Sequence, residues 1–357
     1  MKAARFYEPG KPLQVEQVPE PVLKPGGAIV KVLSAHINSY TKDVLSGELS
    51  YPLPTPYPFT PGPSAIGVVE AVAEDVFGLE PGQKVFCEPF ISSKTIGAPP
   101  DGILIGWMGL APASNKIQSL WKDGSYTERA VWPAECLTPL GDAESIDSSL
   151  LACILDFMTV AYGGFLRGDL RPSQTLVVNG ATGNLGASAV LAALAMGVSK
   201  IVAVGRDENT LEKLRQLDPK RIEIVPLTGS TSDNSERIKT VAGGGADMVL
   251  DALGTVYTPE PTMACINALR PRGTAVFIGG APTELPLSYV QIMLQELTIR
   301  GSFMYPRHVP GDILRMINGG ILDFNAVKVH AFSLDDINDA IAKAPNFKGL
   351  EYCAIVP

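Results

Sequence analysis

A glycine-rich turn in the middle of the chain decides its fold, and it reads Val177-Val178-Asn179-Gly180-Ala181-Thr182-Gly183-Asn184-Leu185-Gly186. It joins a short apolar run to an alanine-rich segment, which predicts a strand before it and a helix after it. In the spacing of a dinucleotide-binding turn, Ala181 replaces the first glycine, while Gly183 and Gly186 keep their places. Gly183 admits a pyrophosphate to the backbone, Gly186 allows close helix packing, and the helix start offers N–H groups. The alternative is a glycine-rich turn that binds nothing; the elements around it favour a dinucleotide.

Strands and helices alternate around this turn. The predicted strands are residues 175–178, 200–204, 223–225, 247–251 and 274–278. The predicted helices are residues 184–196, 209–216 and 235–241, and Gly197 stands where the first of them would end. This alternation predicts an α/β fold with a Rossmann-type, doubly wound parallel sheet.

The first third of the chain has a different pattern, with short β-type runs separated by proline and glycine. Residues 28–33, 65–72 and 83–87 are strand candidates, and the stretch from Tyr51 to Pro63 is rich in proline. This predicts an irregular, barrel-like antiparallel domain. The tail has a helix predicted at residues 332–341 and a last strand, but it is too short for its own core. We therefore expect one domain from residues 1–140 and 310–357, and a Rossmann domain from residues 141–309.

The end of the second parallel strand indicates which dinucleotide is bound. Sites for NAD usually carry an acid there, which holds the ribose 2′-hydroxyl. Here the strand ends at Gly205, and the Arg206 side chain that follows suits a 2′-phosphate because it is a planar, permanently charged fork. We therefore predict NADP(H) as the cofactor. The alternative is that Arg206 is a solvated surface residue and that Asp207 or Glu208 reaches the ribose.

Composition limits the classes of partner. The formal net charge of −8 argues against a broad basic surface for nucleic acid or anionic lipid. The sequence has no uninterrupted apolar run of the roughly 18 residues that a membrane span needs. Its 5 cysteines are scattered without a C-x-x-C pair, which is typical of a reducing compartment. We expect a cytoplasmic protein that acts on a small molecule, without nucleic acid or membrane as a partner.

A resemblance to a known family covers the whole chain. The matching segments, in order, are residues 1–3, 37–47, 59–69, 124–128 and 159–162, the glycine turn, and residues 245–251. In their order and spacing they make the chain similar to the medium-chain dehydrogenase/reductase superfamily, which includes zinc alcohol dehydrogenases and zinc-less quinone oxidoreductases. The resemblance implies a GroES-like β-barrel substrate domain in addition to the Rossmann domain. It also implies a homo-oligomer, either a dimer or a tetramer.

The positions that bind catalytic zinc in the zinc-dependent members differ in this chain. Asn38 stands where those members have a cysteine, Pro63 where they have a histidine, and the third ligand position falls near Leu155. Catalytic zinc needs about three ligands from cysteine, histidine and carboxylates, so we predict no metal site. Asparagine in the first position is the residue type of the zinc-less quinone oxidoreductases. The alternative is a site improvised from His36, Cys153 and Asp156.

Without zinc, the charge that develops on an acceptor oxygen needs a hydrogen-bond donor or a proton source. Tyr40 matches the hydroxyl residue that relays protons in zinc-dependent members, so its phenol is the first candidate. The alternative is a tyrosine that only packs in the cleft wall. Asn38 is either a second donor or a residue that fixes the loop, and His36 is either a proton source or a structural histidine.

The resemblance also implies which residues line the cofactor. Thr159 matches a position beside the nicotinamide, and Leu253, Gly279 and Phe303 belong to segments at the carboxyl ends of strands, where such sheets bind ligands. The phosphate-binding turn supplies Gly180, Ala181, Thr182, Gly183, Asn184, Leu185 and Gly186.

These features predict a zinc-independent, NADP(H)-dependent oxidoreductase that transfers hydride to a conjugated C=C bond or a carbonyl of a small apolar substrate. The alternatives are a metal-free alcohol dehydrogenase or ketone reductase, and a non-catalytic NADPH-binding protein. Residues 102–110 are apolar for a loop, and we expect them either to line a substrate pocket or to form a subunit contact.

Overall fold

The computed structural model describes residues 1–49, 53–92 and 102–357, so Tyr51 and Pro52 of the proline-rich stretch lie outside the described residues. The strands, in chain order, are β1 (Lys2–Arg5), β2 (Gln14–Gln17), β3 (Gly27–Ile37), β4 (Leu53–Pro54), β5 (Ala65–Val72), β6 (Lys84–Cys87), β7 (Phe90–Ser92), β8 (Gly102–Leu104), β9 (Met108–Gly109), β10 (Arg129–Pro133), β11 (Leu137–Pro139), β12 (Thr175–Asn179), β13 (Lys200–Gly205), β14 (Ile222–Pro226), β15 (Ala246–Asp251), β16 (Leu269–Phe277), β17 (Thr298–Gly301), β18 (Lys328–Ser333) and β19 (Glu351–Val356). The α-helices are α1 (Thr41–Ser46), α2 (Asn115–Leu120), α3 (Ser148–Gly168), α4 (Asn184–Ala195), α5 (Glu208–Arg215), α6 (Thr231–Val241), α7 (Glu260–Ile266), α8 (Tyr289–Gln295), α9 (Val309–Asn318) and α10 (Ile337–Lys343).

The chain divides into two compact units. The first comprises residues 1–156, 327–347 and 351–357, and the second comprises residues 157–326 and 348–350. Both divisions lie later in the chain than the boundaries at residues 140 and 310 that the sequence suggested. Helix α3 contributes its first residues to the first unit and the rest to the second.

The second unit contains a six-stranded parallel sheet in the order β14-β13-β12-β15-β16-β17. Numbered along the chain, this is the order 3-2-1-4-5-6 of a doubly wound dinucleotide-binding sheet. The predicted Rossmann sheet is therefore confirmed. Strands β12, β13 and β15 are buried over most of their length, because parallel sheets are normally covered on both faces. Gly197, with φ of 77°, ends α4 as predicted.

The first unit is built around a sheet in which β3 pairs antiparallel with β5, β10 and β19. The order of its longer path is β11-β6-β5-β3-β19-β18, and a smaller sheet has the order β4-β9-β8-β7. Two of these strands, β18 and β19, come from the tail, and Cys353 pairs with Ile37 of β3. The tail thus completes this sheet. Trp132 and Tyr126 are buried in the hydrophobic core of the same unit.

Two segments differ from the sequence prediction. Residues 332–341 do not form one helix, because Phe332 still pairs with Ile355 as part of β18, and α10 begins only at Ile337 after a short 3-10 turn. The apolar residues 102–110 are not a loop but strands β8 and β9, which pair with each other. Ile103 and Trp107 of this hairpin are buried.

Helix α3 was not predicted from the sequence. By length and composition it could cross a membrane, but 78% of its apolar window is buried inside the structure. Such burial is typical of a core helix in a globular domain.

Candidate cofactor and catalytic sites

The glycine turn of the second unit is held by backbone hydrogen bonds. The N–H groups of Gly180 and Ala181 both donate to the Val204 carbonyl oxygen of the neighbouring strand, at 3.1 and 2.9 Å. Gly180 has φ of 80°, a left-handed conformation that favours glycine. Gly183 is the N-cap of α4, and no side chain caps that end. The first N–H groups of any α-helix lie outside its own hydrogen-bond ladder, so the start of α4 at this turn suits an anion.

The two glycines of the predicted fingerprint have different surroundings. A Cβ atom on Gly186 would overlap the Gly180 carbonyl oxygen and lie 2.7 Å from the Ala181 Cα, so the helix start can approach the strand only with glycine there. A Cβ on Gly183 would meet only the Gly180 oxygen at 3.5 Å, and its φ of −84° is ordinary. The fold therefore requires Gly186 but not Gly183, and the space over Gly183 fits an approaching pyrophosphate.

Buried Asp251 ties together the carboxyl ends of the central strands. Its Oδ2 accepts hydrogen bonds from Asn179 Nδ2 at 2.8 Å and Thr262 Oγ1 at 2.7 Å, and its Oδ1 accepts from the Leu253 N–H at 3.2 Å. Burial raises the pKa of this carboxyl above its usual value, against the effect of these bonds. A Cβ on Gly279 would lie 2.7 Å from the Leu253 nitrogen, so two residues predicted to line the cofactor meet here.

The end of β13 has the geometry that the cofactor prediction needs. A Cβ on Gly205 would lie 2.6 Å from Thr182 Cγ2, so any larger residue would crowd the glycine turn. Arg206 is exposed and forms no hydrogen bond or ion pair with the described residues. Asp207 caps α5 by accepting from the Thr210 N–H at 3.0 Å, and this bond lowers the pKa of its carboxyl. The capping role weakens the alternative in which Asp207 turns to the ribose.

In the first unit, Tyr40 and Asn38 form one hydrogen-bonded pair. Asn38 is 3% exposed, and its Nδ2 donates to the Tyr40 hydroxyl at 3.1 Å. The Asn38 Oδ1 is buried and accepts no hydrogen bond from the described residues. Tyr40 is half-buried and precedes α1, which Gly47 ends in a left-handed conformation. The phenol is therefore held at the start of a helix by an amide that donates to its oxygen.

His36 lies beside this pair in sequence but is engaged in the core. It is 1% exposed, and its Nδ1 donates to the Asp156 carboxylate at 2.9 Å. Its backbone N–H donates to the Ser64 carbonyl at 3.3 Å, and its own carbonyl accepts from the Tyr126 hydroxyl at 3.1 Å. These contacts favour a structural histidine, although its role as a proton source stays a prediction.

The same contacts bring the three zinc-ligand positions of the family into one region. Asn38 follows His36, Pro63 precedes its backbone partner Ser64, and Leu155 precedes its carboxylate partner Asp156. These positions offer an amide, a ring without a donor atom and a hydrocarbon, which do not fit catalytic zinc. No group of three or more histidine, cysteine or acidic side chains that could hold a metal lies among the described residues. The Cys153 thiol donates to a backbone carbonyl instead.

An apolar cavity of about 250 Å³ lies in the same unit. Trp107 lines it, and the Trp107 ring packs edge-on against Tyr40 with a centroid distance of 6.0 Å. Other lining residues include Phe6, Leu45, Leu49, Thr55 and Phe59. Part of the apolar segment 102–110 therefore contributes to a cavity wall, which is one of its two predicted roles.

Two further predicted residues belong to other elements of the second unit. Thr159 is buried on α3. Phe303, which is 52% exposed, follows β17 and lines an open depression of about 740 Å³ with Gly163, Phe277 and Met304. The joint role of Phe303, Leu253 and Gly279 at the cofactor stays a prediction.

Sequence reasoning missed two features of the second unit. The first is the Asp251 network, for which an aspartate at the end of a buried strand was the available signal. The second is the docking of Gly349, whose N–H donates to the Thr182 carbonyl at 2.9 Å and whose carbonyl accepts from Asn184 Nδ2 at 3.0 Å. Nothing in local sequence indicates that the tail returns to this turn.

A parallel sheet in this strand order, with a glycine turn open to an anion, defines the class of nicotinamide-dinucleotide-binding dehydrogenases. Residues 24–142 match the family described as alcohol dehydrogenase GroES-like domain, and residues 185–318 match the family described as zinc-binding dehydrogenase. The chain belongs to the medium-chain dehydrogenase/reductase superfamily and is an oxidoreductase. The predicted GroES-like domain is thereby confirmed.

Known proteins of similar length resemble the whole chain. An alcohol dehydrogenase from Moraxella sp. (strain TAE123) is 29% identical over 95% of this chain and 94% of its own. An NAD-dependent alcohol dehydrogenase from Sulfurisphaera tokodaii is 26% identical over 100% of both chains. The solved structure of a cobalt- and zinc-bound thermostable alcohol dehydrogenase from Pyrobaculum aerophilum has a TM-score of 0.77 and 21% identity, and covers 100% of this chain and 99% of its own. That last likeness concerns the fold.

Proposed function

We propose that this protein is a zinc-independent, NADP(H)-dependent oxidoreductase that transfers hydride to a conjugated C=C bond or a carbonyl of a small apolar substrate. The observation that carries the proposal is the set of side chains at the three converging ligand positions. Asn38, Pro63 and Leu155 supply at most one neutral oxygen, whereas catalytic zinc is held by about three anionic or imidazole ligands. The acceptor oxygen must therefore be stabilised by hydrogen bonds.

Tyr40 and Asn38 are the groups that support this chemistry. The bound nicotinamide would supply the hydride, and negative charge would then grow on the acceptor oxygen. Because Asn38 donates to the Tyr40 oxygen, the phenol is oriented to act as a donor, and it can also release a proton. Asn38 Oδ1, buried without a hydrogen-bond donor among the described residues, can accept from a substrate or cofactor hydroxyl.

The preference for NADP(H) rests on the end of β13. Gly205 leaves no acid for the ribose hydroxyls, and Thr182 excludes a larger residue at that place. Asp207 is committed to the cap of α5, while Arg206 is exposed without a protein partner among the described residues. A guanidinium in this position suits a 2′-phosphate.

The cavity that Trp107 lines supports a small apolar substrate, because most of its wall is hydrocarbon and aromatic. A metal-free alcohol dehydrogenase or ketone reductase is the second candidate, and the names of the similar alcohol dehydrogenases favour it. A non-catalytic NADPH-binding protein is the third candidate, but it gives the Tyr40–Asn38 pair no role.

We also propose a homo-oligomer, which the apolar surface at one side of the parallel sheet supports. Strand β17 ends the sheet order, so its outer edge pairs with no described strand. Helix α8 exposes large apolar side chains nearby in sequence: Tyr289, Val290, Met293 and Leu294. An unpaired edge strand with exposed apolar residues is typical of a surface that another copy covers.

None of the 5 cysteines forms a disulfide, and all 5 are buried in the structure. Burial raises the pKa of Cys153 and Cys265 well above the usual thiol value, so these thiols stay protonated. A cytoplasmic location is consistent with such unpaired thiols.

The test combines metal analysis with a substrate screen. Protein purified without added metal should contain no stoichiometric zinc, and it should oxidise NADPH with at least one member of a panel of enones, quinones, aldehydes and ketones. Exhaustive chelation should leave that rate unchanged. Loss of activity on chelation with recovery on adding zinc would refute metal independence, and the absence of turnover with every acceptor would favour the binding protein.

A further inference from the structure

The tail returns to the glycine turn beside the end of β13, and this return has a consequence for cofactor recognition. We infer that Lys348 is a second specificity-determining residue, which acts with Arg206 to hold the 2′-phosphate of NADP(H). The inference rests on the proposed use of NADP(H) and adds a residue that no local motif of the parallel sheet contains. It concerns binding of the adenosine end of the cofactor, not the chemistry of hydride transfer.

Gly349 fixes the position of the backbone next to Lys348. Its N–H and carbonyl form the hydrogen bonds to Thr182 and Asn184 that dock the tail on the glycine turn. A Cβ on Gly349 would lie 2.7 Å from Thr210 Cγ2 in the first turn of α5, and Gly349 has φ of 61°. The tail therefore passes between the glycine turn and the start of α5, and Lys348 is the residue directly before Gly349 in this passage.

Thr182 links this passage to the end of β13. Its side chain occupies the space beside Gly205, and its carbonyl accepts from Gly349. Lys348 is exposed, and it forms no hydrogen bond or ion pair with any residue that the structure describes. Its positive charge nevertheless acts on Asp207, where it contributes to the lowered pKa of that carboxyl after the larger effect of the Thr210 N–H. The Lys348 charge thus acts on Asp207, which directly follows Arg206.

The charges next to Arg206 explain why a second cation would help to hold a 2′-phosphate. Asp207 and Glu208 follow Arg206 directly, so these three side chains carry a net charge of −1, which disfavours a phosphate. The Lys348 ammonium brings the net charge of these four side chains to zero. The Asp207 carboxylate accepts a hydrogen bond from an N–H group in the first turn of α5. A 2′-phosphate would then find two cations without protein partners among the described residues.

The experiment measures affinity by fluorescence titration and calorimetry, with no turnover required. The probes are adenosine 2′,5′-bisphosphate and adenosine 5′-monophosphate, which differ only in the 2′-phosphate, followed by NADPH and NADH. Lys348→Gln should weaken binding of the bisphosphate and of NADPH by about tenfold, as expected when one hydrogen bond to a charged group is lost. It should change the affinities for the monophosphate and NADH less than about twofold, and Lys348→Arg should retain the preference.

Lys220→Gln is the matched control, because Lys220 is also exposed but precedes the amino end of β14, whereas Arg206 follows the carboxyl end of β13. It should leave all four affinities unchanged. Equal losses for both members of each probe pair in Lys348→Gln would overturn the inference and make Lys348 a structural residue of the tail. A wild-type protein that does not distinguish the bisphosphate from the monophosphate would overturn both this inference and the proposed NADP(H) preference.

Discussion

Matched substitutions of Gly183 and Gly186 separate the effect of a glycine on folding from its effect on cofactor binding. Gly186→Ala adds a methyl group that overlaps the Gly180 carbonyl oxygen, and relief requires movement of backbone rather than of a flexible side chain. Overpacking of this kind costs about 1–3 kcal/mol or more. Gly183→Ala adds the same methyl group where the nearest atom is 3.5 Å away and φ is −84°. It should change the stability of the apoprotein by less than about 1 kcal/mol, because the restriction of the unfolded chain by alanine opposes the preference of an N-cap position for glycine over alanine.

Thermal unfolding with and without NADPH measures both effects. Without cofactor, Gly186→Ala should lower Tm by at least about 2 °C, since about 1 kcal/mol corresponds to 2–4 °C in a unit of this size. Gly183→Ala should leave Tm close to that of the parent. With NADPH at about 100 times the parent Kd, the parent gains about 2.7 kcal/mol, and a variant that binds about tenfold more weakly gains only about 1.4 kcal/mol.

The decisive result is therefore a Gly183→Ala protein that is as stable as the parent without cofactor but responds to it by about half as much. A direct titration should give the same tenfold change in Kd. If Gly183→Ala binds NADPH as tightly as the parent, the space over Gly183 is not where the pyrophosphate approaches. If it unfolds as early as Gly186→Ala, the reasoning from the local geometry is wrong.

Three further predictions follow from other regions. Tyr40→Phe should slow hydride transfer in single-turnover kinetics by at least roughly tenfold, about 1.4 kcal/mol in the barrier, with NADPH affinity unchanged; transfer at the parent rate would make Tyr40 a wall residue. Asp207→Ala should cost about 1 kcal/mol of stability near pH 7 through loss of the α5 cap. Because the folded-state pKa of Asp207 is lowered, this stability difference should be present at pH values above the unfolded-state pKa and vanish as the pH falls through the folded-state pKa. Urea unfolding at several pH values measures it, and a stability difference that does not decrease between pH 7 and pH 2 would contradict the prediction. Leu294→Glu should convert the oligomer to monomer in sedimentation velocity, whereas Phe77→Glu, at a side chain 91% exposed in the other unit, should not; an unchanged oligomer would exclude α8 from the interface.

The sequence predicted the parallel sheet well because its strands are buried on both faces and are separated by helices with clear ends. Residues 200–204 and 184–196, for example, differ from β13 and α4 by one residue at an end. The tail was harder, since Phe332 looks like the start of an amphipathic helix until its pairing with Ile355 is known. That pairing forms only because the last strand of the chain lies beside β18. The local sequence around Phe332 therefore does not predict it.

The candidate sites show the same division between local and distant information. The glycine turn could be predicted because its chemistry lies within ten consecutive residues. The sequence offered His36 and Asp156 together only as part of an improvised metal site, and it did not predict their buried hydrogen bond, because 120 positions separate the partners. The position of Lys348 depends on Gly349 reaching Thr182, a contact between the end of the chain and its middle.

The zinc-binding name of one matching family does not conflict with the proposed metal independence. That match covers residues 185–318, and all three ligand positions lie outside it: Asn38, Pro63 and Leu155. A family name describes what most members bind, whereas a metal is held only by donor atoms at the right places. Those places here lie around the buried His36–Asp156 pair, and none of the three side chains is a cysteine, a histidine or a carboxylate. Hydrogen-bond donors are then the remaining means of stabilising an acceptor oxygen, and the Tyr40–Asn38 pair is where we expect that function to lie.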